Sequence, residues 1–170
     1  LAGLDVSDMG PVVTIMVGRV DDWMKEIYAR EELTFPKEYL DWAGVAVFKH
    51  AYAEFKRRGL RARLLSAAYR NLLQWSEFVG GDVVLSPPFG WQQKIQASGA
   101  DAEPRMDIPV APEILDALKT MPEFLKAYDY DGLTNDEFDG YGATRKTLRQ
   151  FLGADEELDH IVSDVLIPAP

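Results

Sequence analysis

Two short apolar runs lie unusually close together, and their spacing sets the frame for the chain. Arg63–Ala68 and Val83–Leu85 both read as buried strands, and their starts are about 20 residues apart. Between them, Asn71–Val79 reads as a short helix with Leu72, Trp75 and Val79 on one side, ended by Gly80-Gly81. A connection of this length joins parallel strands through a tight right-handed strand–helix–strand unit. Upstream, Pro11–Val17 is β-branched and nearly all apolar, which predicts a strand covered on both faces. Asp21 is expected to cap a helix running from near Trp23 to about Arg30. Lys37–Arg58 predicts a second helix, with Val45, Phe48, Tyr52 and Phe55 as its apolar stripe and Gly59 as its left-handed cap. Residues 11–88 therefore read as strand, helix, helix, strand, helix, strand.

Past Pro88 the pattern changes. Pro104, Pro109 and Pro112 punctuate an irregular connection, and helical patterns follow at about 112–127, 134–139 and 144–166. Thr134 and Glu137 match a capping box. Leu148, Phe151, Leu152, Leu158, Ile161 and Val165 mark apolar faces. The fold class is α/β. Three strands cannot close a (β/α)8 TIM barrel, which takes about 250 residues. The chain is expected to hold the last three strand–helix units of such a barrel in residues 1–98, the irregular connection in 99–111 and a C-terminal helical extension in 112–170. It starts at Leu1 rather than Met, as a piece of a longer protein would.

Composition removes several classes of function. There is no cysteine, which excludes disulfides, thiolate metal sites and cysteine nucleophiles. Lys+Arg total 18 against 28 Asp+Glu, a net charge of −10 that disfavours nucleic acid and anionic membranes as partners. No apolar run approaches the roughly 18 residues of a membrane span, and no secretion signal opens the chain. The expected setting is cytoplasmic.

Two arginines stand out by position. Arg19 follows the first strand and Arg70 follows the second, each beside the start of a helix. In a parallel sheet these strand ends share one rim, where ligands bind. Two guanidiniums beside helix N-termini suit a phosphate. The bland alternative is a pair of surface or salt-bridged arginines in an acid-rich chain. His50 and His160 lie on helices without partner spacing and read as surface or packing residues. Asp129, Asp131 and Glu137 imitate half a calcium loop in the wrong register, because its twelfth position falls on Phe138.

The residues around the arginines carry a family resemblance. Thr14-Ile15-Met16-Val17-Gly18-Arg19, with Asp22-Trp23 after it, resembles the Ser-Pro-Phe-Val-Gly-Arg run and following Asp-Trp of transaldolases. Leu65-Ser66-Ala67-Ala68-Tyr69-Arg70-Asn71 resembles their Met-Gly-Ala-Ser-Phe-Arg-Asn run, and Gly80–Pro87 resembles their Gly-Cys-Asp ending. Tyr52–Gly59 resembles their Tyr-x-x-Tyr/Phe-Lys-x-x-Gly helix, and Gly142–Phe151 the C-terminal helix of the longer members. The resemblance implies a class I aldolase barrel in carbohydrate metabolism, in the pentose phosphate pathway, that moves a dihydroxyacetone unit between sugar phosphates through a lysine Schiff base. It implies no metal and no organic cofactor. By position, Arg19 and Arg70 would hold the substrate phosphate, with Thr14, Met16 and Ala68 lining the pocket.

There are departures. Thr14 replaces the family serine, Ile15 and Met16 replace its proline and phenylalanine, and Ala68 replaces a rim serine. The family's Val-x-Ile-Lys-Ile/Val-Pro run, which carries the Schiff-base lysine, does not occur. Lys49 reads as the polar edge of a helix, and Lys94 lies outside any strand. No catalytic residue is therefore expected in this chain, and the phosphate-binding half alone should be inactive. The expected partners are a sugar phosphate and a cover for the unpaired strand edges at Val12–Met16 and Val83–Ser86: a missing N-terminal half or a second copy. Two alternatives remain open: a non-catalytic half-barrel that binds a sugar phosphate or a partner chain, and an unrelated barrel enzyme such as an isomerase.

Overall fold

The computed structural model describes residues 10–167. It divides into two compact units, Leu1–Gly132 and Leu133–Pro170. In the first unit, three strands form a parallel sheet in the order β1-β2-β3: β1 (Val12–Ile15), β2 (Arg63–Ala67) and β3 (Val83–Ser86). The register pairs Val13 with Leu64 and Ile15 with Ser66, then Leu64 with Val83 and Ser66 with Leu85. These paired residues share one face. Leu64 lies in the core, with Ile15, Val83 and Leu85 packed against it. The other face, which includes Thr14, Leu65, Ala67 and Val84, is exposed or half-buried. This mixed α/β arrangement is compatible with part of a βα barrel.

The helices are α1 (Val17–Arg30), α2 (Ala43–Arg58), α3 (Leu73–Ser76), α4 (Phe89–Ser98), α5 (Pro112–Lys119) and α6 (Pro122–Tyr128). The core joins α1 through Met24 and Ile27, α2 through Val45 and Phe48, and α5–α6 through Leu118, Met121 and Phe124. The 3-10 turn Lys37–Trp42 leads into α2 and contributes buried Leu40. Gly59 ends α2 at φ 62° and returns its N–H to Lys56 and Phe55, as its position after three basic residues predicts.

Several expectations change. The first strand is four residues long and is not covered on both faces: it is a sheet edge, with Val12 and Val13 each 45% exposed. Helix α1 begins at Val17, so Asp21 lies inside it and does not cap it. The second predicted helix starts as 3-10 and becomes α only at Ala43. Helix α3 has only four residues, and of the predicted apolar side Leu72 is exposed while Trp75 and Val79 are half-buried; Gln74 and Ser76 are buried instead. The single helix expected over 112–127 is two helices, because Met121 takes an extended conformation before Pro122. Helix α4 follows β3, where a third strand–helix unit within residues 1–98 calls for a helix.

The second unit holds a 3-10 turn, Asp136–Gly140, and the 25-residue helix α7, Gly142–Leu166. Glu137 reaches back to the Thr134 N–H at 2.8 Å, as a capping box requires. The Thr134 hydroxyl, however, donates to the same carboxylate at 2.8 Å instead of capping the backbone.

Candidate functional site

The two strand-end arginines meet at one carboxylate. Arg19 sits in the first turn of α1, just beyond β1, and Arg70 lies three residues beyond β2. The Arg70 Nε–H reaches both Asp22 oxygens at 3.0 Å, and Nη2 donates to Oδ2 at 2.8 Å. Its Nη1 donates to the carbonyls of Ala68 and Tyr69 at 3.1 and 3.0 Å. That engages one Nε–H, two Nη1–H and one Nη2–H, leaving one Nη2–H of the five guanidinium donors. Arg19 Nη1 stands 3.8 Å from the same Asp22 Oδ2, and Arg19 Nε is buried without a hydrogen-bond partner. Two guanidiniums against one carboxylate give this corner a local charge of +1 in a chain of net −10.

Backbone contact fixes the spacing of the corner. Ala68 adopts φ 62°, in the left-handed region, and its carbonyl turns toward α1. A Cβ on Gly18 would stand 1.8 Å from that carbonyl oxygen and 2.7 Å from Arg70 Cγ. Only glycine lets the loop after β2 approach α1 this closely.

Behind this corner, a polar network holds the helices in place. Asp21 is fully buried and accepts the Gly44 N–H at 2.7 Å. It thus caps the N-terminus of α2 rather than that of its own helix. Gln74 Nε2 and Asn71 Nδ2 donate to its second oxygen at 2.7 and 3.0 Å, and Gln74 Oε1 accepts the Arg70 N–H at 2.6 Å. Burial pushes the Asp21 carboxyl well above its ordinary range, against the pull of the Gly44 amide and of Lys25. Buried Tyr69 bonds Ser66 at 2.8 Å, and burial raises its hydroxyl.

Among the other candidates, Thr14 lies exposed on β1, Met16 precedes α1 half-buried, and Ala68 is the turning residue already described. Lys49 departs from the expected polar edge. It is buried, donates to Glu77 at 2.6 Å and also bonds the carbonyls of Arg105 and Ile108 at 2.9 and 2.7 Å. All three of its N–H donors are engaged. Lys94 stands on α4 over the Trp91 ring. His50 stacks on Tyr128, with ring centroids 4.3 Å apart, and so packs. A cleft of about 410 Å³ opens beside α2 and the 106–110 stretch, and its Lys56 already pairs with Asp107 at 3.3 Å. No cluster of metal-ligating residues occurs among the described residues.

The sequence matches the family model described as Transaldolase/Fructose-6-phosphate aldolase over residues 7–151. The chain belongs to this family. The match spans both arginine runs, Asp21 and Asp22, and the first part of α7. It makes an aldolase-type transferase the functional frame. No curated protein and no solved structure matches. The structure brings the two arginines singled out by position together on Asp22, a residue that the sequence places in the resemblance but gives no role. The available signal was the Asp21-Asp22 pair on one helix: adjacent helical residues point about 100° apart, so one acid faces the core and the other the strand ends. No helix among the described residues is long and apolar enough to cross a membrane.

Proposed function

We propose that this chain supplies the phosphate-binding part of a transaldolase-like transferase, which moves a dihydroxyacetone unit between sugar phosphates through a lysine Schiff base. The observation that carries this reading is the convergence of Arg19 and Arg70 on Asp22 Oδ2. The Arg19 Nη groups, which only approach Asp22 at 3.8 Å, and the spare Arg70 Nη2–H leave donors for an anion. Phosphate oxygens accept charge-assisted hydrogen bonds from both guanidiniums, and the tail so held orients the substrate carbonyl toward the reacting amine. Thr14 and Ala67 share the sheet face that a closed barrel would turn inward. That closure comes from further strands or from a second copy, and the Schiff-base amine comes from strands other than β1–β3. Lys49 is unsuited to the role, since Glu77 and two carbonyls already hold its ammonium. The full enzyme is the active form and is cytoplasmic.

The test is direct. A charge-assisted contact contributes roughly 1.5–3 kcal/mol, so Arg70→Ala should weaken sugar-phosphate binding about tenfold or more in the complete enzyme. Unchanged affinity in both Arg19→Ala and Arg70→Ala overturns the phosphate assignment. Borohydride trapping with a ketose phosphate should leave this chain unmodified, and an adduct on Lys49 or Lys94 overturns the assignment of the amine to other strands.

A further inference from the structure

Two adjacent acids of α1 hold Arg70 at its two ends. Asp22 takes the guanidinium head, at 3.0 Å from Nε and 2.8 Å from Nη2. Asp21 acts on the base of the same residue without bonding it directly. Its Oδ2 accepts Asn71 Nδ2–H at 3.0 Å and Gln74 Nε2–H at 2.7 Å. The other end of the Gln74 amide, Oε1, accepts the Arg70 N–H at 2.6 Å. The Gln74 N–H in turn donates to Asn71 Oδ1 at 3.2 Å. The residues one and four places after Arg70 are thus tied to each other and to a helix about 50 residues earlier in the chain.

The polarity of this network runs in one direction. Asp21 accepts in all three of its bonds, from the Gly44 N–H and from the Asn71 and Gln74 side-chain amides. Gln74 must therefore turn its NH2 toward Asp21, which leaves its carbonyl, its side chain's one acceptor, for the Arg70 N–H. Both Asp21 and Gln74 are fully buried, so bulk water replaces neither bond. An asparagine at position 21 breaks this order. In either orientation of its amide, the NH2 meets a donor: the Gly44 N–H on one side, or the Asn71 and Gln74 NH2 groups on the other. Turning Gln74 over to relieve the clash sets its NH2 against the Arg70 N–H, so the misfit is passed to the arginine peptide.

We propose that Asp21 is a positioning residue for the anion corner: through Gln74 and Asn71 it holds the Arg70 peptide where the guanidinium can meet both Asp22 and a bound phosphate. The proposal rests on the phosphate reading of the corner and adds a division of labour to it. Asp22 shares the guanidiniums with the anion and competes with it. Asp21 bonds neither guanidinium and supports the anion from behind.

The test turns on the sign of one effect. Inorganic phosphate is titrated calorimetrically into the full chain and into the Asp21→Asn chain, each with and without Arg70→Ala, and circular dichroism at the same temperature reports that each is folded. Charge alone would leave phosphate binding unchanged where Asp21 is protonated and tighten it where Asp21 is ionised, because the substitution can only remove a negative charge. Positioning demands the opposite: Asp21→Asn should bind phosphate about threefold or more weakly, with no further loss once Arg70→Ala is present. Gln74→Met cuts the link to the arginine peptide while leaving Asp21 its Gly44 and Asn71 donors, and it should reproduce the loss even if Asp21→Asn does not fold. Unchanged or tighter binding by folded Asp21→Asn, or by Gln74→Met, overturns the proposal. An equal loss with and without Arg70 overturns it too, since that means general loosening of the fold. Unchanged binding in Arg70→Ala alone is a separate failure: it overturns the phosphate reading of the corner, and the positioning role falls with it.

Discussion

Two cation–carboxylate pairs in the first unit look alike on paper and differ in what they leave unused. Lys49 and Glu77 are buried, and the ammonium spends its donors on Glu77 and two backbone carbonyls. Arg70 and Asp22 are about a third exposed, and the second cation beside them, Arg19, only approaches Asp22 at 3.8 Å with its Nη1. A cation with every donor satisfied holds structure together. A cation with donors to spare, next to another like it, is ready for a ligand. Charge type does not separate the two cases; the count of satisfied donors does.

The largest effect should come from breaking the saturated pair. Removing one partner of a buried ion pair leaves an uncompensated charge, so Glu77→Ala should lower the unfolding free energy by about 3–5 kcal/mol. Replacing both partners, as Lys49→Met with Glu77→Leu, should recover only part of that loss in urea denaturation, because the Arg105 and Ile108 carbonyls then lose their donor. A loss below about 1 kcal/mol from Glu77→Ala would place this pair in the same class as exposed ones and break the comparison.

A smaller effect of the opposite kind is expected at the corner. Asp22→Asn removes the carboxylate that both arginines share and raises the local charge by one. Inorganic phosphate should then bind a few-fold tighter, up to about 1 kcal/mol in isothermal titration, since pairs this exposed are worth little. Weaker binding would show that Asp22 matters more for holding the two guanidiniums in place than for competing with the anion.

The smallest effect concerns Asp21. Its folded carboxyl titrates above the ordinary value of 3.8. A group raised on folding adds stability that is fully present below the unfolded value and is lost as pH rises through the folded one. Against an Asp21→Asn reference, which cannot titrate, the wild-type urea midpoint should fall as pH rises above the ordinary carboxylate value and through the raised folded one. The slope of that difference is the readout, because the substitution also disturbs the Gly44, Asn71 and Gln74 bonds. A flat difference would mean that the three donors fully compensate for burial.

Local chemistry explains what could be read in advance. The three strands, their parallel order and the strand-end positions of Arg19 and Arg70 follow from apolar runs and from connection length. The end of α2 follows from Gly59 behind three basic residues. What escaped depends on partners far along the chain. Gln74 faces inward because Asp21, 53 residues earlier, takes its amide. Lys49 is buried because Glu77 and the 105–108 carbonyls, 28 to 59 residues later, meet it. Helical periodicity assigns a face by polarity alone, so it turns such residues outward. The exposure of β1 follows from strand count, which leaves Val12–Met16 an unpaired edge, and not from its apolar run, which alone reads as covered on both faces.

The contact between Gly18 and the Ala68 carbonyl also restricts how this corner can change by mutation. Position 68 can become glycine freely, since its φ of 62° suits glycine better than any other residue. Position 18 has no comparable exit, because any side chain meets the carbonyl and Arg70 Cγ together. On the function proposed above, variation that resizes the substrate pocket would therefore be channelled into Thr14, Met16 and residue 68, while the separation of the two arginines would be inherited almost unchanged. Substrate preference would then drift in such a lineage long before its hold on the anion did.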